Sequence, residues 1–238
     1  MAKTYDIAVV KGDGIGIEVT DEAIKVLKAA SARHGFSCRF REYPFGADHY
    51  LATKELFADS ALAEMKQMHA ILLGAIGDPR VETGILERGI VGRLRFDLDL
   101  YVNLRPIKLY SSHICPLKDK EPKDIDMIVV RENTEDVYTG VHGFFKKGTP
   151  DEVALQQMIF TRKGTERIIR HAYGIARGRK RKKLTLCDKA NAIAAMDLWR
   201  RTFNEVGQEF PDVEKDYAFV DATCMWMVKN PEFFDVIV

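Results

Sequence analysis

An excess of charge of one sign is missing from this sequence. Its 238 residues contain 36 lysines and arginines against 35 aspartates and glutamates, so the net charge at pH 7 is +1. A protein that binds nucleic acid or an anionic membrane surface through its overall charge carries a clear basic surplus. The composition therefore predicts neither a nucleic-acid partner nor a membrane partner.

Long apolar runs and clustered cysteines are also absent. No stretch approaches the roughly 20 apolar residues that span a bilayer, and the segment MAKTYDIAVVKGDG has too short an apolar core for a signal peptide. The four cysteines, Cys38, Cys115, Cys187 and Cys224, lie far apart and form no C-x-x-C pair. This spacing predicts reduced thiols in a cytoplasmic protein rather than disulfides or a structural metal site.

What the sequence does contain is an alternation of short β-rich runs with helical patterns. Helices are predicted at 17–33, where Gly35 would cap the C-terminus, and at 165–177 and 192–206. The predicted strands are Asp6–Val10, Ser37–Tyr43, Ala70–Leu73, Ile125–Arg131, Leu155–Phe160, Leu184–Cys187, Tyr217–Val220 and Phe234–Val238. The alternation indicates an α/β fold with much parallel strand pairing.

Two features bear on the domain organisation. The proline-punctuated segment 106–122 is typical of a connector between domains. At the C-terminus the sequence stops in the apolar run FFDVIV, which predicts a buried strand. Because domains usually end on exposed, polar segments, we expect the sequence to be truncated at its C-terminus.

The stretch KGDGIGIEV at 11–19 raises the question of a dinucleotide-binding loop. Gly12, Gly14 and Gly16 lie between a predicted strand and a predicted helix, but the third glycine comes one position too early for G-x-G-x-x-G. Glu42, at the end of the next strand, could pass for the acidic residue that binds the ribose. The alternative, which we favour, is a tight structural turn in which glycine allows positive φ and close packing.

Three arginines in apolar surroundings suggest an anion site. Arg95 and Arg105 lie in RLRFDLDLYVNLRP, and Arg131 ends the strand MIVVR. An arginine at the end of a buried strand is costly unless it meets an anion. Three converging guanidiniums would bind a small di- or tricarboxylate bidentately. The alternative for each arginine taken alone is an ordinary surface residue.

Two more charged residues follow predicted strands, where the sites of α/β proteins collect. Lys189 in LCDKAN could serve as a general base, and Asp221 in AFVDATCMWM suits a hard divalent cation. The alternatives are a solvated lysine and an aspartate that caps a helix. The basic run RGRKRKK at 177–183 predicts a solvated loop rather than a nucleic-acid patch.

Five motifs together resemble one enzyme family along the whole chain. KGDGIGIEV, LYVNLRP, VVRENTEDVYTG, LCDKANAI and VDATCMWMVKNPEFFDVIV are similar, in order and spacing, to motifs of the metal-dependent β-decarboxylating dehydrogenases. The resemblance implies the two-domain α/β fold of isocitrate and isopropylmalate dehydrogenases, which is not a Rossmann fold and would here be incomplete. Residues 1–103 would belong to the cofactor-side domain and 104–238 to the dimer-forming domain. The glycine turn would be structural, and Glu42 would not bind a ribose.

The resemblance also implies roles for individual residues. Arg95, Arg105 and Arg131 are similar to the arginines that clamp the substrate carboxylates. Tyr138, in DVYTG, resembles the acid that protonates the enol carbon. Lys189 resembles the base that takes the hydroxyl proton, in a reaction that oxidises a 2-hydroxy acid and releases its β-carboxylate as CO₂.

Cofactors and assembly are implied in the same way. Asp221 resembles one ligand of a Mg²⁺ or Mn²⁺ ion that also contacts the substrate, and Glu87, in LERG, resembles the acid near the nicotinamide ribose of NAD. In the family, Lys189 and Asp221 reach the site of a neighbouring subunit, which implies a homodimer. Two further metal aspartates and a cofactor loop lie beyond the matched motifs, so we expect the 238-residue chain to be inactive alone.

The resemblance leaves more than one substrate open. Ile90, Val91 and Gly92, before Arg95, predict an apolar wall suited to an isopropyl group, and hence 3-isopropylmalate. RENTEDVY is closer to the isocitrate and tartrate branches, and homoisocitrate is a further alternative. A non-catalytic regulatory subunit is disfavoured because every implied clamp and catalytic residue is present.

Overall fold

The computed structural model describes residues 3–238, which form two compact units. One ends at Asp99 and the other comprises Leu100–Val238. The boundary predicted at 103/104 falls just inside the second unit, and the proline-punctuated segment 106–122 lies wholly within it. The roles expected for the two domains stay predictions. Among residues 3–238, no helix combines the length and the apolar character needed to cross a membrane.

The first unit is built on a three-stranded parallel sheet in the order β2-β1-β3. Its elements are β1 (Lys3–Gly12), α1 (Ile15–His34), β2 (Phe36–Tyr43), α2 (Ala47–Thr53), α3 (Asp59–Met65), β3 (Ala70–Ala75) and α4 (Arg93–Asp97), with a π-helical turn at Glu87–Gly92 before α4. The central strand β1 is buried from Ile7 to Val10. Gly35 ends α1 with φ 71°, which confirms the predicted cap.

The second unit is built on a five-stranded sheet in the order β4-β5-β10-β8-β9. Its elements are β4 (Val102–Lys108), β5 (Asp126–Glu132), β6 (His142–Phe145), β7 (Val153–Gln156), α5 (Arg162–Gly178), β8 (Lys183–Asp188), α6 (Asp197–Val206), β9 (Glu214–Phe219), α7 (Val220–Lys229) and β10 (Val236–Ile237). All neighbours pair in parallel except β4, which is antiparallel to β5. A separate antiparallel hairpin joins β6 to β7.

The predicted α/β alternation is confirmed, and several boundaries differ from those predicted. The strand expected at 155–160 is β7 and lies earlier in the chain. The helix expected from 192 begins at Asp197, after a 3₁₀ turn at Ala194–Met196. Strand β4 was not predicted, because Pro106 lies within it. Proline is tolerated there because β4 is at the edge of the sheet, where a missing N–H breaks no ladder bond.

The glycine-rich stretch forms the tight turn that we favoured. Gly12 has a positive φ of 73°, in the region that favours glycine. A Cβ atom on Gly16 would lie 2.5 Å from both the Lys11 carbonyl oxygen and the Ala75 nitrogen. Close packing of the turn against the end of β3 therefore requires glycine at this position.

A buried aspartate holds the same turn in place. Asp13 is only 8% exposed. Its Oδ1 accepts a hydrogen bond from the Ala47 N–H at 2.6 Å, and its Oδ2 accepts one from the Gly77 N–H at 2.9 Å. Glu42, the residue that could pass for a ribose ligand, pairs with Lys11 at 3.3 Å. The side chains of this turn are thus engaged in contacts within the first unit.

Five of the seven residues of the basic run 177–183 are exposed, in agreement with the predicted solvated loop, but the run also includes the end of α5 and the start of β8, and Arg179 is half-buried. Arg179 Nε donates to Asp235 Oδ1 at 2.5 Å, and its Nη2 donates to Asp126 Oδ1 at 2.9 Å. Arg181 donates to the backbone carbonyls of residues 232–234. Asp235 is 1% exposed, so Arg179 compensates a buried charge beside β10 and helps fix the central strand.

Removing Arg179 should destabilise the second unit. Arg179→Ala leaves the buried Asp235 carboxylate without its cation, and we expect the free energy of unfolding to fall by about 3 kcal/mol. Urea denaturation followed by circular dichroism measures the loss. Lys180→Ala, at the exposed neighbour, is the matched control and should cost under about 0.5 kcal/mol. Equal losses in the two variants would contradict the assignment.

Candidate functional site

Lys189 and Asp221 form an ion pair at one edge of the second unit's sheet. Lys189 follows β8, and Asp221 comes shortly after the neighbouring parallel strand β9, so both lie at the carboxyl ends of strands. The Nζ–Oδ1 distance is 2.5 Å. Asp221 itself belongs to the first turn of α7. This corrects the expected strand end and places a carboxylate where the helix dipole favours it.

The electrostatics of this pair determine the state of Asp221. The hydrogen bond from Lys189, followed by one from the backbone N–H of Asp221 itself, holds the pKa of the Asp221 carboxyl below its usual range. The carboxyl is therefore ionised at neutral pH. Its side chain is 67% exposed, and carboxylate oxygen is the donor that Mg²⁺ and Mn²⁺ prefer.

The donor set for a metal is sparse. Among residues 3–238, no three His, Cys, Asp or Glu side chains lie together as a metal-binding group. Mg²⁺ is often held by one or two carboxylates, with substrate and water as the other ligands. Asp221 fits such an ion as a single protein ligand, and groups other than the residues described here would have to supply the remaining ligands.

A buried aspartate that the sequence analysis missed holds the start of the Lys189 loop. Asp188 is 5% exposed, and its Oδ1 accepts hydrogen bonds from the Tyr217 hydroxyl at 2.5 Å and the Ala190 N–H at 3.0 Å. Burial, reinforced by this bond, raises the pKa of Tyr217 to about 12. The signal in the sequence was an acidic residue at the end of an apolar strand. The contact anchors the chain on both sides of Lys189.

Two of the three predicted clamp arginines lie on one face of neighbouring strands. Asn103 of β4 pairs with Arg131 of β5, and Arg105 pairs with Val129. Arg105 and Arg131 are therefore diagonal neighbours on the same face of the sheet. The Arg131 guanidinium also lies 5.2 Å from the centre of the Tyr138 ring. The structure thus brings together three of the predicted site residues.

The loop between Arg131 and Tyr138 is folded by a carboxylate. Glu132 accepts hydrogen bonds from the Thr134 N–H at 2.9 Å, the Thr134 hydroxyl at 2.7 Å and the Glu135 N–H at 2.7 Å. Asp136 follows with a positive φ of 63°. This turn reverses the chain and returns Tyr138 to the Arg131 guanidinium.

A cavity of about 400 Å³ adjoins this arrangement and is lined in part by Arg131 and Tyr138. Three of its lining residues carry buried polar atoms that have no hydrogen-bond partner among the residues described: Asp136 Oδ1, Asp188 Oδ2 and Trp199 Nε1. Burial raises the pKa of Asp136. The cavity is large enough for a small molecule.

The predicted residues of the first unit occupy a turn and the helix that follows it. Glu87 opens the π-helical turn, and its Oε2 accepts a hydrogen bond from the Gly84 N–H at 2.9 Å. Arg95 is half-buried in α4. Ile90 is fully buried in the core of this unit, so the prediction that it lines an apolar wall for the substrate is wrong. The roles of Glu87 and Arg95 stay predictions.

Comparison with known proteins identifies the fold and the family. The sequence model of the isocitrate/isopropylmalate dehydrogenases matches residues 6–238. The chain belongs to this family. Its structure resembles the crystal structure of isocitrate dehydrogenase from Methylococcus capsulatus, with a TM-score of 0.85 and 32% identity over 98% of this chain and 66% of that one. A β-decarboxylating dehydrogenase from Thermococcus kodakarensis gives a TM-score of 0.73 at 32% identity, over 98% of this chain and 63% of that one.

Two curated relatives from actinobacteria cover nearly the whole of this chain. The 3-isopropylmalate dehydrogenase of Thermobifida fusca is 49% identical over 238 residues, which are 100% of this chain and 67% of that protein. The protein of the same name from Corynebacterium kroppenstedtii is 49% identical over 234 residues, 98% of this chain and 68% of that one. The chain spans about two thirds of the length of these relatives, and the predicted family fold is confirmed.

The ion pair makes a prediction about the titration of Asp221. Lys189→Met should raise the Asp221 pKa toward the ordinary aspartate value, because the hydrogen bond that lowers it is lost. Carbon-13 NMR of the carboxyl groups across the acid range measures the shift. The matched control is Lys182→Met, which should raise the pKa of its own partner Asp212 and leave Asp221 unchanged. An unshifted Asp221 in Lys189→Met would refute the pairing.

Proposed function

We propose that this chain supplies the substrate-binding and proton-transfer groups of a cytoplasmic 3-isopropylmalate dehydrogenase. The reaction is the NAD-dependent oxidation and decarboxylation of 3-isopropylmalate to 4-methyl-2-oxopentanoate and CO₂, a step of leucine biosynthesis. The observation that carries the proposal is the pairing of Lys189 with Asp221 in a chain that also aligns Arg105 and Arg131 beside Tyr138. The names of the most similar curated relatives support the choice of substrate.

The arginines bind the substrate in this proposal. A malate derivative carries two carboxylates, and Arg105 and Arg131 lie on one face of the sheet, where each guanidinium can bind a carboxylate. The family resemblance adds Arg95 as a third cation. Binding through these groups would orient the carboxylate that leaves as CO₂.

Two side chains move protons. Lys189 would accept the hydroxyl proton, and because its Nζ donates to Asp221 in this structure, that contact has to break before Nζ can reach the substrate. Tyr138 would donate its hydroxyl proton to the enol carbon, and its ring lies beside the Arg131 guanidinium that would bind the substrate. A divalent ion at Asp221 would polarise the substrate oxygens, and NAD would accept the hydride.

Ligand binding tests the substrate. By isothermal titration calorimetry in Mg²⁺ buffer, 3-isopropylmalate should bind more tightly than isocitrate, homoisocitrate or tartrate. Arg131→Gln should weaken binding at least about tenfold, because a charged hydrogen-bond donor is lost. Arg201→Gln, which alters a surface ion pair on α6, is the matched control and should have no effect. Tighter binding of isocitrate would assign the chain to that branch, and no binding of any of the four acids would contradict the proposal.

We also propose that two copies of the chain associate through the hairpin β6–β7. The side chains of Phe144, Phe145, Val153 and Leu155 are 57%, 65%, 55% and 55% exposed. A two-stranded hairpin with apolar residues in water is marginally stable alone, and such a patch is typical of an interface. The homodimer that the family resemblance implies would cover it.

Sedimentation tests this assembly. The wild-type chain should sediment at twice the 27.0 kDa of one chain. The double variant Phe145→Glu/Leu155→Glu should sediment as a monomer, because it would bury charge at the interface. Arg201→Glu, at an exposed position of α6 that is not part of the hairpin, is the matched control and should remain dimeric. A monomeric wild type, or a dimeric double variant, would contradict the proposal.

A further inference from the structure

A continuous line of hydrogen bonds joins the arginines of β4 and β5 through two asparagines. Arg105 Nε donates to Asn103 Oδ1 at 2.7 Å. Asn103 Nδ2 donates to Asn133 Oδ1 at 3.4 Å, and Arg131 Nη2 donates to the same oxygen at 3.2 Å. Both guanidiniums are therefore tied, directly or through one amide, to Asn133.

The orientation of the two amide groups is determined by Asn133, which is the buried member of this line. Asn133 is 7% exposed. Its Nδ2 donates to the Leu100 carbonyl at 3.0 Å, and its backbone N–H donates to the Tyr101 carbonyl at 3.0 Å. With the amide nitrogen so engaged, Oδ1 has to face Arg131 and Asn103. Asn103 in turn has to present its nitrogen to Asn133 and its oxygen to Arg105.

The partners of these two arginines are neutral. Arg39, Arg170 and Arg179 each bind a carboxylate. Within residues 3–238, by contrast, Arg105 and Arg131 form no ion pair with a carboxylate, and their hydrogen bonds go to amide or carbonyl oxygens. An amide orients a guanidinium without neutralising it, so the full positive charge remains for a ligand.

We propose that Asn103 and Asn133 are positioning residues that hold Arg105 and Arg131 as one rigid anion clamp of undiminished charge. The identity of the anion, a hydroxy-dicarboxylate, rests on the proposed function. Arg105 uses only its Nε–H in this line, so its two Nη groups can meet a ligand carboxylate. The clamp is prepared before the ligand arrives, which reduces the entropy lost on binding.

The first test needs no ligand. In nitrogen-15 arginine spectra, exchange of the Arg105 Nε–H with water should accelerate about threefold or more in Asn133→Leu, although Asn133 does not contact Arg105. Asn103→Ala, at a half-buried position of an edge strand, provides a second variant if Asn133→Leu does not fold. Asn204→Ala, on the exposed surface of α6, is the matched control and should leave the exchange unchanged. Wild-type exchange in a folded Asn133→Leu or in Asn103→Ala would overturn the positioning role.

The second test separates geometry from charge. Asn133→Asp keeps an acceptor for Arg131 and Asn103 but loses the donor to the Leu100 carbonyl. The Arg105 exchange rate reports any change in geometry, and neutralisation of the clamp should weaken binding at neutral pH. We expect the Kd for L-malate, measured by calorimetry as a plain dicarboxylate probe, to rise about tenfold. An unchanged Kd in Asn133→Asp would overturn the argument from neutrality.

The two proposals fail in different ways. If L-malate binding depends on the asparagines while 3-isopropylmalate is not preferred, the result supports the clamp and contradicts the proposed substrate. If none of these acids binds, the proposed function falls and the arginine exchange rates still decide whether the asparagines position the guanidiniums.

Discussion

The register between β4 and β5 is the constraint on which the arrangement of the candidate site depends. Asn103 lies opposite Arg131, and Arg105 lies two residues farther along the same face. A slip of one residue would turn Arg105 to the other face of the sheet and separate it from Arg131. The edge position of β4 allows Pro106 in the strand, and on the shared face Arg105 is exposed and Arg131 is half-buried.

Basic residues have two different roles in this chain, and the net charge of +1 does not distinguish them. Arg179 compensates the buried Asp235, so its charge contributes to the stability of the sheet and is not available to a partner. Arg105 and Arg131 bind amide oxygens and keep their charge. A run of basic residues in the sequence is therefore a poor guide to anion binding, whereas isolated arginines beside asparagine in adjacent strands are a better one.

Much of the fold could be predicted because β-branched runs and helical periodicity alternate clearly along the chain. The differences between the predicted and the observed structure have local causes. The step from β9 into α7 carries no signal, since the apolar residues before Asp221 suit a strand end and a helix start equally. Ile90 lies in a π-helical turn, whose extra residue changes which side chain faces the core. The roles of Asn103 and Asn133 depend on strand register, which periodicity does not determine.

The contact between Lys189 and Asp221 links the two chemical roles assigned to these residues. While Nζ donates to Oδ1 at 2.5 Å, the amino group of Lys189 is held at Asp221 and is not available to a substrate. A carboxylate that ligates a divalent ion gives up much of its negative charge to that ion and attracts an ammonium group less strongly. Occupancy of Asp221 by a cation would thus favour release of Lys189. Because Asp188 and Tyr217 anchor the chain beside Lys189, the release need only move the flexible end of the side chain. The ion pair is therefore the arrangement without a cation at Asp221, and the proposed base would be released when Asp221 takes another partner.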